Sequence, residues 1–402
     1  MTVLSVSVII VSHGRPDALC VALTGVGQLD YSNYEIVVVA DAAGVVAVHA
    51  HALADQIKIV PFETRNISAA RNAGVAVAAG QIIAFIDDDA VPEPNWLTHL
   101  VAPFSDPAVS AAGGYVISRN GISFQWKART VGPDAQTEAL HLSGDEPEVF
   151  TGTPTCAIKT EGTNMAVRRD VMVALGGFDP AFQFYLDETD LNMRIGQAGH
   201  CTAIVPRARV HHGYAASGRR RIDRVPTDIS QIGASLAVYL RKHGGSLDVL
   251  DAERDVQRNR LLTHMVAGRL LPSDVAPILA GFDRGCAAGM QRDFGEIATD
   301  VASAEFRKFN QLAQPLRFVV GRSWQKSKLL ANAAHLARAG ERVAVIVLSP
   351  TAFFHRVRFV EAGYWLWTGG QFGKADRSEP LVQIWRLRAR AEKIVKNFAK
   401  GN

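Results

Sequence analysis

Cysteine is scarce: Cys20, Cys156, Cys201 and Cys286 are the four in 402 residues. They are too scattered for a disulfide framework or for paired metal-ligand spacing, and they read as reduced thiols of a cytoplasmic protein. Long apolar runs are missing too. Val343 to Leu348 is a typical run, far below the roughly 18 residues of a membrane span. The first strand-like segment begins almost at Met1, so no secretory leader is expected. There is no internal repeat and no low-complexity tract. No Gly-x-Gly-x-x-Gly follows the first strand, which argues against a dinucleotide cofactor. What is left is a globular chain, 48% hydrophobic and 20% charged, large enough for two domains or for one domain with a helical appendage.

The net charge of +4 hides a division. Residues 1–216 hold 13 Lys/Arg against 22 Asp/Glu, and residues 217–402 hold 30 against 17. Solvated helix faces of different sign account for any single residue. The size of the asymmetry favours an anionic partner for the second half, with no nucleic acid expected.

Along the first half, strands alternate with helices. Val3 to Val11 is a β-branched run, broken by Ser12-His13-Gly14-Arg15-Pro16 and followed by helical periodicity over residues 17–28. Strands are expected over 35–39, 58–60 and 81–86, and an Ala-rich helix over 68–79. This is the signature of an α/β sheet with parallel pairing, in which ligands gather beyond the carboxyl ends of the strands. Further on, 110–116 reads as a strand, 165–175 and 187–197 as helices, and 201–205 as a strand. After His212 the texture changes. A basic linker, Gly218-Arg219-Arg220-Arg221, leads into helical periodicity to about residue 310, then a helix over 326–339 and a last strand over 342–348. The expected division is 1–216 and a basic, mainly helical 217–402.

The strand ending in Asp87-Asp88-Asp89 is the most informative feature. Three adjacent carboxylates repel one another, and a divalent cation with a diphosphate resolves that repulsion; Mn²⁺ or Mg²⁺ suits such oxygens. In extended chain Asp87 and Asp89 share a face while Asp88 points elsewhere. The competing reading is a solvated acidic loop, which the apolar strand before it disfavours.

With the triplet stand several other segments in order: VSVIIVSHGRP, EIVVVAD, NISAARNAGVAVAAGQIIAFIDDDAVPEPNWL, GTNMAVRRDVMVALGGFDPAF, YLDETDLNMRIGQAG and PRARVHHG. Over residues 3–216 the chain thereby resembles family 2 of the inverting glycosyltransferases, with their nucleotide-binding GT-A fold. The resemblance implies that Ser12, Arg15, Asp41, Arg71, Asp87 and Asp88 lie at the donor. Asp89 becomes the principal metal ligand, and the register from Pro206 makes His212 a second one. Asn164 and Asp190 fall on the substrate side. The chain departs from the family at Ala40, where many relatives are acidic, and at Ala42-Ala43, which replaces a Gly-Ser turn. A UDP- or dTDP-sugar is the expected donor, and a glycan or lipid-linked molecule the acceptor.

Inverting transfer needs a base for the acceptor hydroxyl and a cation at the departing diphosphate. Asp187-Glu188-Thr189-Asp190 resembles the family's Glu-Asp-x-Asp segment, which makes Glu188 the base and Asp187 the alternative. Asp187 and Asp190 could equally serve the start of a helix. His211 and His212 end a strand, so at most one of them faces the site.

Other motifs carry less. Gly321 to Ser327 resembles a phosphate loop but lacks the second glycine before Lys326. Asn66-Ile67-Ser68 is a glycosylation sequon by pattern alone. Residues 381–400 place Ile384, Leu387, Ala391, Ile394, Val395 and Phe398 on one helical face, with Arg386, Arg390, Lys393, Lys396 and Lys400 opposite. That helix either lies on an anionic membrane, holding the protein at the inner face of the cell membrane, or packs on its own domain. Two rival readings exist for the whole chain. A sugar nucleotidyltransferase would carry a Gly-rich basic loop after the first strand, whereas SHGRPDA has one glycine; a silent sugar-binding relative would be expected to lose the triplet or the base.

Overall fold

Buried β-branched runs dictate the first half of the fold. In the computed structural model the described residues are 3–213, 218–295, 304–310 and 314–399. Strands β1 (Val6–Ser12), β2 (Tyr34–Ala40), β3 (Ile57–Pro61) and β4 (Ile82–Asp87) pair in parallel in the order β3-β2-β1-β4. The strands are apolar on both faces because both are covered. Helices α1 (Pro16–Val26) and α2 (Ala42–His49) pack on Val8, Ile10, Ile36 and Val38, while α3 (Ile67–Val77) packs on Ile9, Val37 and Val39. Asp41 caps α2, a helix absent from the sequence expectation.

Beyond β4 the pairing becomes mixed. There follow β5 (Ala90–Pro92), α4 (Trp96–Val101), β6 (Val109–Ile117) and β7 (Phe124–Trp126), then the short strands β8 (Arg129–Val131), β9 (Thr137–Ala139), β10 (Glu148–Thr151) and β11 (Ala157–Lys159). After them come β12 (Met165–Arg168), α5 (Arg169–Ala174), α6 (Asp187–Gln197) and β13 (Cys201–His212). β12 inserts antiparallel between β4 and β6, and β13 runs parallel to β6. The helix expected from residue 165 therefore begins only at Arg169. Met165, Ala166 and Val167 are fully buried between two strands, and that pairing overrides their helical preference. The α/β sheet expected for a GT-A fold is present, with its change of pairing beside β4.

The second half is less helical than expected. Helices α7 (Ser230–His243), α8 (Val249–Val266) and α9 (Pro272–Gly289) form the anticipated helical part. The expected boundary at 216 lies in 214–217, outside the described residues. Residues 304–310 then return to the first sheet, where the Phe309 amide donates to Tyr34 O at 2.7 Å. The chain continues as β14 (Arg317–Arg322), α10 (Lys326–Arg338), β15 (Val343–Ser349), β16 (Arg356–Val360), β17 (Tyr364–Gly370) and α11 (Leu387–Ala399). This second sheet has the order β14-β15-β17-β16, with β16 antiparallel to β17; of its four strands the sequence pointed only to β15.

The last helix is also corrected. Ala391, Ile394 and Phe398 are buried against Trp365 and Trp367, and Arg390 of its basic face is fully buried against Glu379. The domain itself covers most of the apolar face expected at a membrane, while Ile384, ahead of the helix, is 93% exposed. Lys400 lies outside the described residues. Among those described, no helix is long and apolar enough to cross a membrane.

Candidate active site

Strand alternation sorts the triplet at the end of β4. Asp87 and Asp89 turn one way, where an oxygen of each and a ring nitrogen of His212 lie within 4.8 Å of one another. Asp88 turns the other way and is fully buried beside Ser12, with an oxygen 2.6 Å from the Arg15 guanidinium. Burial pushes the Asp88 carboxyl up to about 7, opposed by Arg15 and reinforced by Asp89. Arg15 also approaches Asp89 at 3.3 Å. Expected among the substrate contacts, Arg15 and Ser12 instead surround the inward carboxylate, and Asp88 faces the protein.

His212 arrives at the end of β13. Its Nδ1 lies 3.0 Å from the Gln125 side-chain oxygen of β7, and its Nε2 lies 3.1 Å from Asp89. With Nδ1–H donating to Gln125, the Nε2 lone pair faces the carboxylates, the tautomer that metal ligation requires. His211 turns away, 3.1 Å from Glu93 and edge-on to Trp365. Two carboxylates and an imidazole so placed could hold a divalent cation, with positions left for phosphate oxygens.

Arg71 connects this cluster to α6. Asn66 caps α3 by accepting from the Ala69 amide at 3.0 Å, and the helix aims Arg71 inward. Its buried guanidinium donates to Asp187, to Asp87 at 3.2 Å and to Gly162 O at 3.2 Å. A Cβ at Gly162 would sit 2.6 Å from that guanidinium, so only glycine leaves it room. Arg71 is thus an internal strut and not an open diphosphate contact. Asp187 is taken up by the same bond and is almost wholly buried, which disfavours it as the base.

Glu188 is placed differently. α6 begins after two consecutive left-handed residues, Tyr185 (φ 76°) and Leu186 (φ 63°), a conformation costing about 1–3 kcal/mol for each side-chain-bearing residue. The turn brings Glu188 Oε1 to Lys159 Nζ at 2.9 Å and to the Thr189 hydroxyl at 3.2 Å. Among the described residues no hydrogen bond is made to its Oε2. Burial would raise Glu188, but Lys159 and then Arg71 outweigh it and hold the carboxyl below the usual carboxylate range. Lys159 was not foreseen. A single lysine in a short strand gives no sequence signal for a partner 29 residues away.

Three expected substrate contacts turn out to be structural groups. Asp41 accepts from the Gly14 amide at 2.7 Å and the Gly44 amide at 3.0 Å, shaping the turn after β1. Asn164 donates to Tyr115 O and Ala208 O and accepts from the Trp96 indole, tying three segments together. Asp190 is fully buried among Arg194 at 2.8 Å, His243 at 3.0 Å and Lys242 at 3.1 Å. Burial opposes its ionisation, but Arg194, His243 and Lys242 prevail and lower its pKa well below the ordinary 3.8. Asp190→Asn should therefore cost about 3–5 kcal/mol, since it strands buried cations. A depressed folded pKa gives stability that is present above pH 3.8 and drains away as pH falls through the lowered value. The gap between wild-type and variant urea midpoints should be full at pH 7 and shrink below about pH 4. A variant as stable as wild type at neutral pH would remove Asp190 from this role.

Residues 7–170, which hold β1, the triplet and Arg71, match the family model described as glycosyl transferase family 2. Over those residues the chain is similar to that family. Over 119 residues it is 34% identical to the glucosyl-dolichyl phosphate glucuronosyltransferase of Haloferax volcanii, covering 29% of this chain and 36% of the relative. It is 28% identical over 238 residues to the O-antigen biosynthesis protein RfbC of Myxococcus xanthus, covering 55% and 18%. With the pre-mycofactocin glycosyltransferase of Mycobacterium tuberculosis it shares 29% over 161 residues, covering 39% and 32%. The chain thus spans about a third or less of each relative's length. Among solved structures it is similar to the mannosyltransferase PcManGT of Pyrobaculum calidifontis with GDP-Man and Mn²⁺ (TM-score 0.43, 17% identity, 72% of this chain and 88% of that one). It is similar also to GalNAc-T7 with UDP, GalNAc and Mn²⁺ (TM-score 0.40, 20% identity, 54% and 45%).

Proposed function

We propose that this protein is a family 2 glycosyltransferase that transfers a sugar, with inversion, from a nucleotide-diphosphate sugar to a hydroxyl of a glycan or lipid-linked acceptor. The observation that carries the reading is one linked constellation: the Asp87, Asp89 and His212 cluster, joined through Arg71 to the helix start that presents Glu188. UDP- or dTDP-sugars are the proposed donors, and synthesis of a polysaccharide or glycoconjugate at the inner face of the cell membrane the proposed setting. In this reading Asp87, Asp89 and His212 hold Mn²⁺ or Mg²⁺, and Gln125 fixes the imidazole tautomer. When bound, the cation supplies countercharge to the leaving diphosphate. Glu188 stays ionised at neutral pH, and its Oε2 takes the proton of the acceptor hydroxyl as that oxygen attacks the anomeric carbon. Attack opposite the leaving group inverts the centre.

Residues 1–216 form the transferase unit in this proposal, and 217–402 support it. Lys242 and His243 grip Asp190 of α6, and the Ser235 hydroxyl donates to Phe184 O just before the strained turn. Release of UDP or dTDP from the corresponding sugar nucleotides should appear with Mn²⁺ and vanish with EDTA. Turnover that survives EDTA would refute the metal assignment; binding without turnover for any donor and acceptor tried would favour a silent sugar-binding relative.

A further inference from the structure

The second sheet carries a positively charged cleft that the transfer reaction does not use. α10 packs chiefly on β14 and β15, through Leu329 and Ala333 against Val343, Val345 and Val347. The edge strand β16 lies beyond this cover. Along it Val357 is buried, while Arg356 and Arg358 are exposed on the opposite face, with Arg356 in register with Thr368 of β17. Two adjoining hollows of about 460 and 580 Å³ open there, sharing Lys326, Arg356 and Thr368. The turn between β6 and β7 closes the far side with Arg119, and its tip is fastened to β16 by the Val357 amide donating to Asn120 O.

No Asp or Glu lines either hollow. Among the described residues Arg119, Lys326, Arg356 and Arg358 make no ion pair, whereas Arg342 is matched with Asp30 and Arg390 with Glu379. Four like charges around one cleft repel one another and focus a positive potential that an anion relieves. Two arginines on one strand face suit the forked recognition of phosphate oxygens, and Ser323 adds a hydroxyl to the lining. Gly321 to Ser327, which fails as a phosphate loop for want of a glycine, contributes Ser323 and Lys326 to the lining. At the rim Phe353 is 71% exposed and Phe354 39%, an apolar platform beside the charge.

We infer that this cleft is a second binding site, for a phosphate- or diphosphate-bearing ligand whose apolar or ring portion rests on Phe353 and Phe354. The site is independent of the metal cluster, so the two can fail separately. Titration of the full chain with inorganic pyrophosphate in EDTA should give saturable binding that weakens with salt. Arg356→Gln with Arg358→Gln, and separately Lys326→Gln, should weaken it at least about tenfold, while Mn²⁺-dependent UDP binding at the β4 site stays at the wild-type level. Vesicles of phosphatidylglycerol, compared with phosphatidylcholine, identify the source of the phosphate. Sedimentation relieved by pyrophosphate marks a lipid headgroup, and pyrophosphate binding without sedimentation marks a soluble ester. Absent pyrophosphate binding, or equal affinity in wild type and both variants, would overturn the site.

Discussion

Asp89→Ala should bring Mn²⁺-dependent nucleotide binding down to the level seen in EDTA and lower sugar transfer by roughly 10³-fold, about 4 kcal/mol. The size of the effect follows from position. Asp89 stands at the centre of the cluster, 3.1 Å from His212 and on the same face as Asp87. Asp88, a neighbour in sequence, is buried against Arg15 and cannot replace it. The fold should survive, because Arg15 keeps its shorter bond to Asp88. Calorimetric titration of UDP with and without Mn²⁺, alongside product release, measures both quantities. Equal affinity and rate in the variant would dissolve the proposed metal site.

Glu188→Gln should leave nucleotide affinity within about twofold while lowering kcat by 10²–10⁴, the usual range for a lost general base. The two variants therefore separate donor binding from acceptor activation. The pH profile adds a second signature. Lys159 holds Glu188 below the usual carboxylate range, so the acid limb of wild-type kcat/KM attributable to this group should lie below pH 4.5. Between pH 5 and 7 the rate should not fall through loss of the ionised base. If Glu188→Gln turned over at the wild-type rate, the proton would have another destination, and the half-engaged carboxylate would be a structural partner of Lys159.

Both the parallel half of the sheet and the triplet were legible in the sequence, because continuous β-branched runs and adjacent carboxylates are local patterns. Strand alternation already separated Asp88 from its neighbours and His211 from His212. What stayed hidden depends on contacts between distant residues. Family position marked Arg71 as a donor contact, yet its bonds reach Asp187, 116 positions away. Lys159 and Gln125 acquire meaning only when β11 meets α6 and β7 meets β13. The same limit explains the second sheet: the Arg-rich alternation of β16 and the Trp-rich alternation of β17 carry little signal until α11 closes over Trp365 and Trp367. Asp190 and Asn164 show the converse, since family position marked them while their surroundings tie up their polar atoms.

Tyr185 and Leu186 have one more consequence. Glycine would suit either position better on backbone grounds alone, so both side chains are held there against backbone strain. Leu186 is anchored in a core with Phe182, Met193 and Leu236, and that anchorage keeps the first turn of α6 from sliding. A glycine at Leu186 would relax the backbone but give up that anchorage, leaving the carboxylate free to wander.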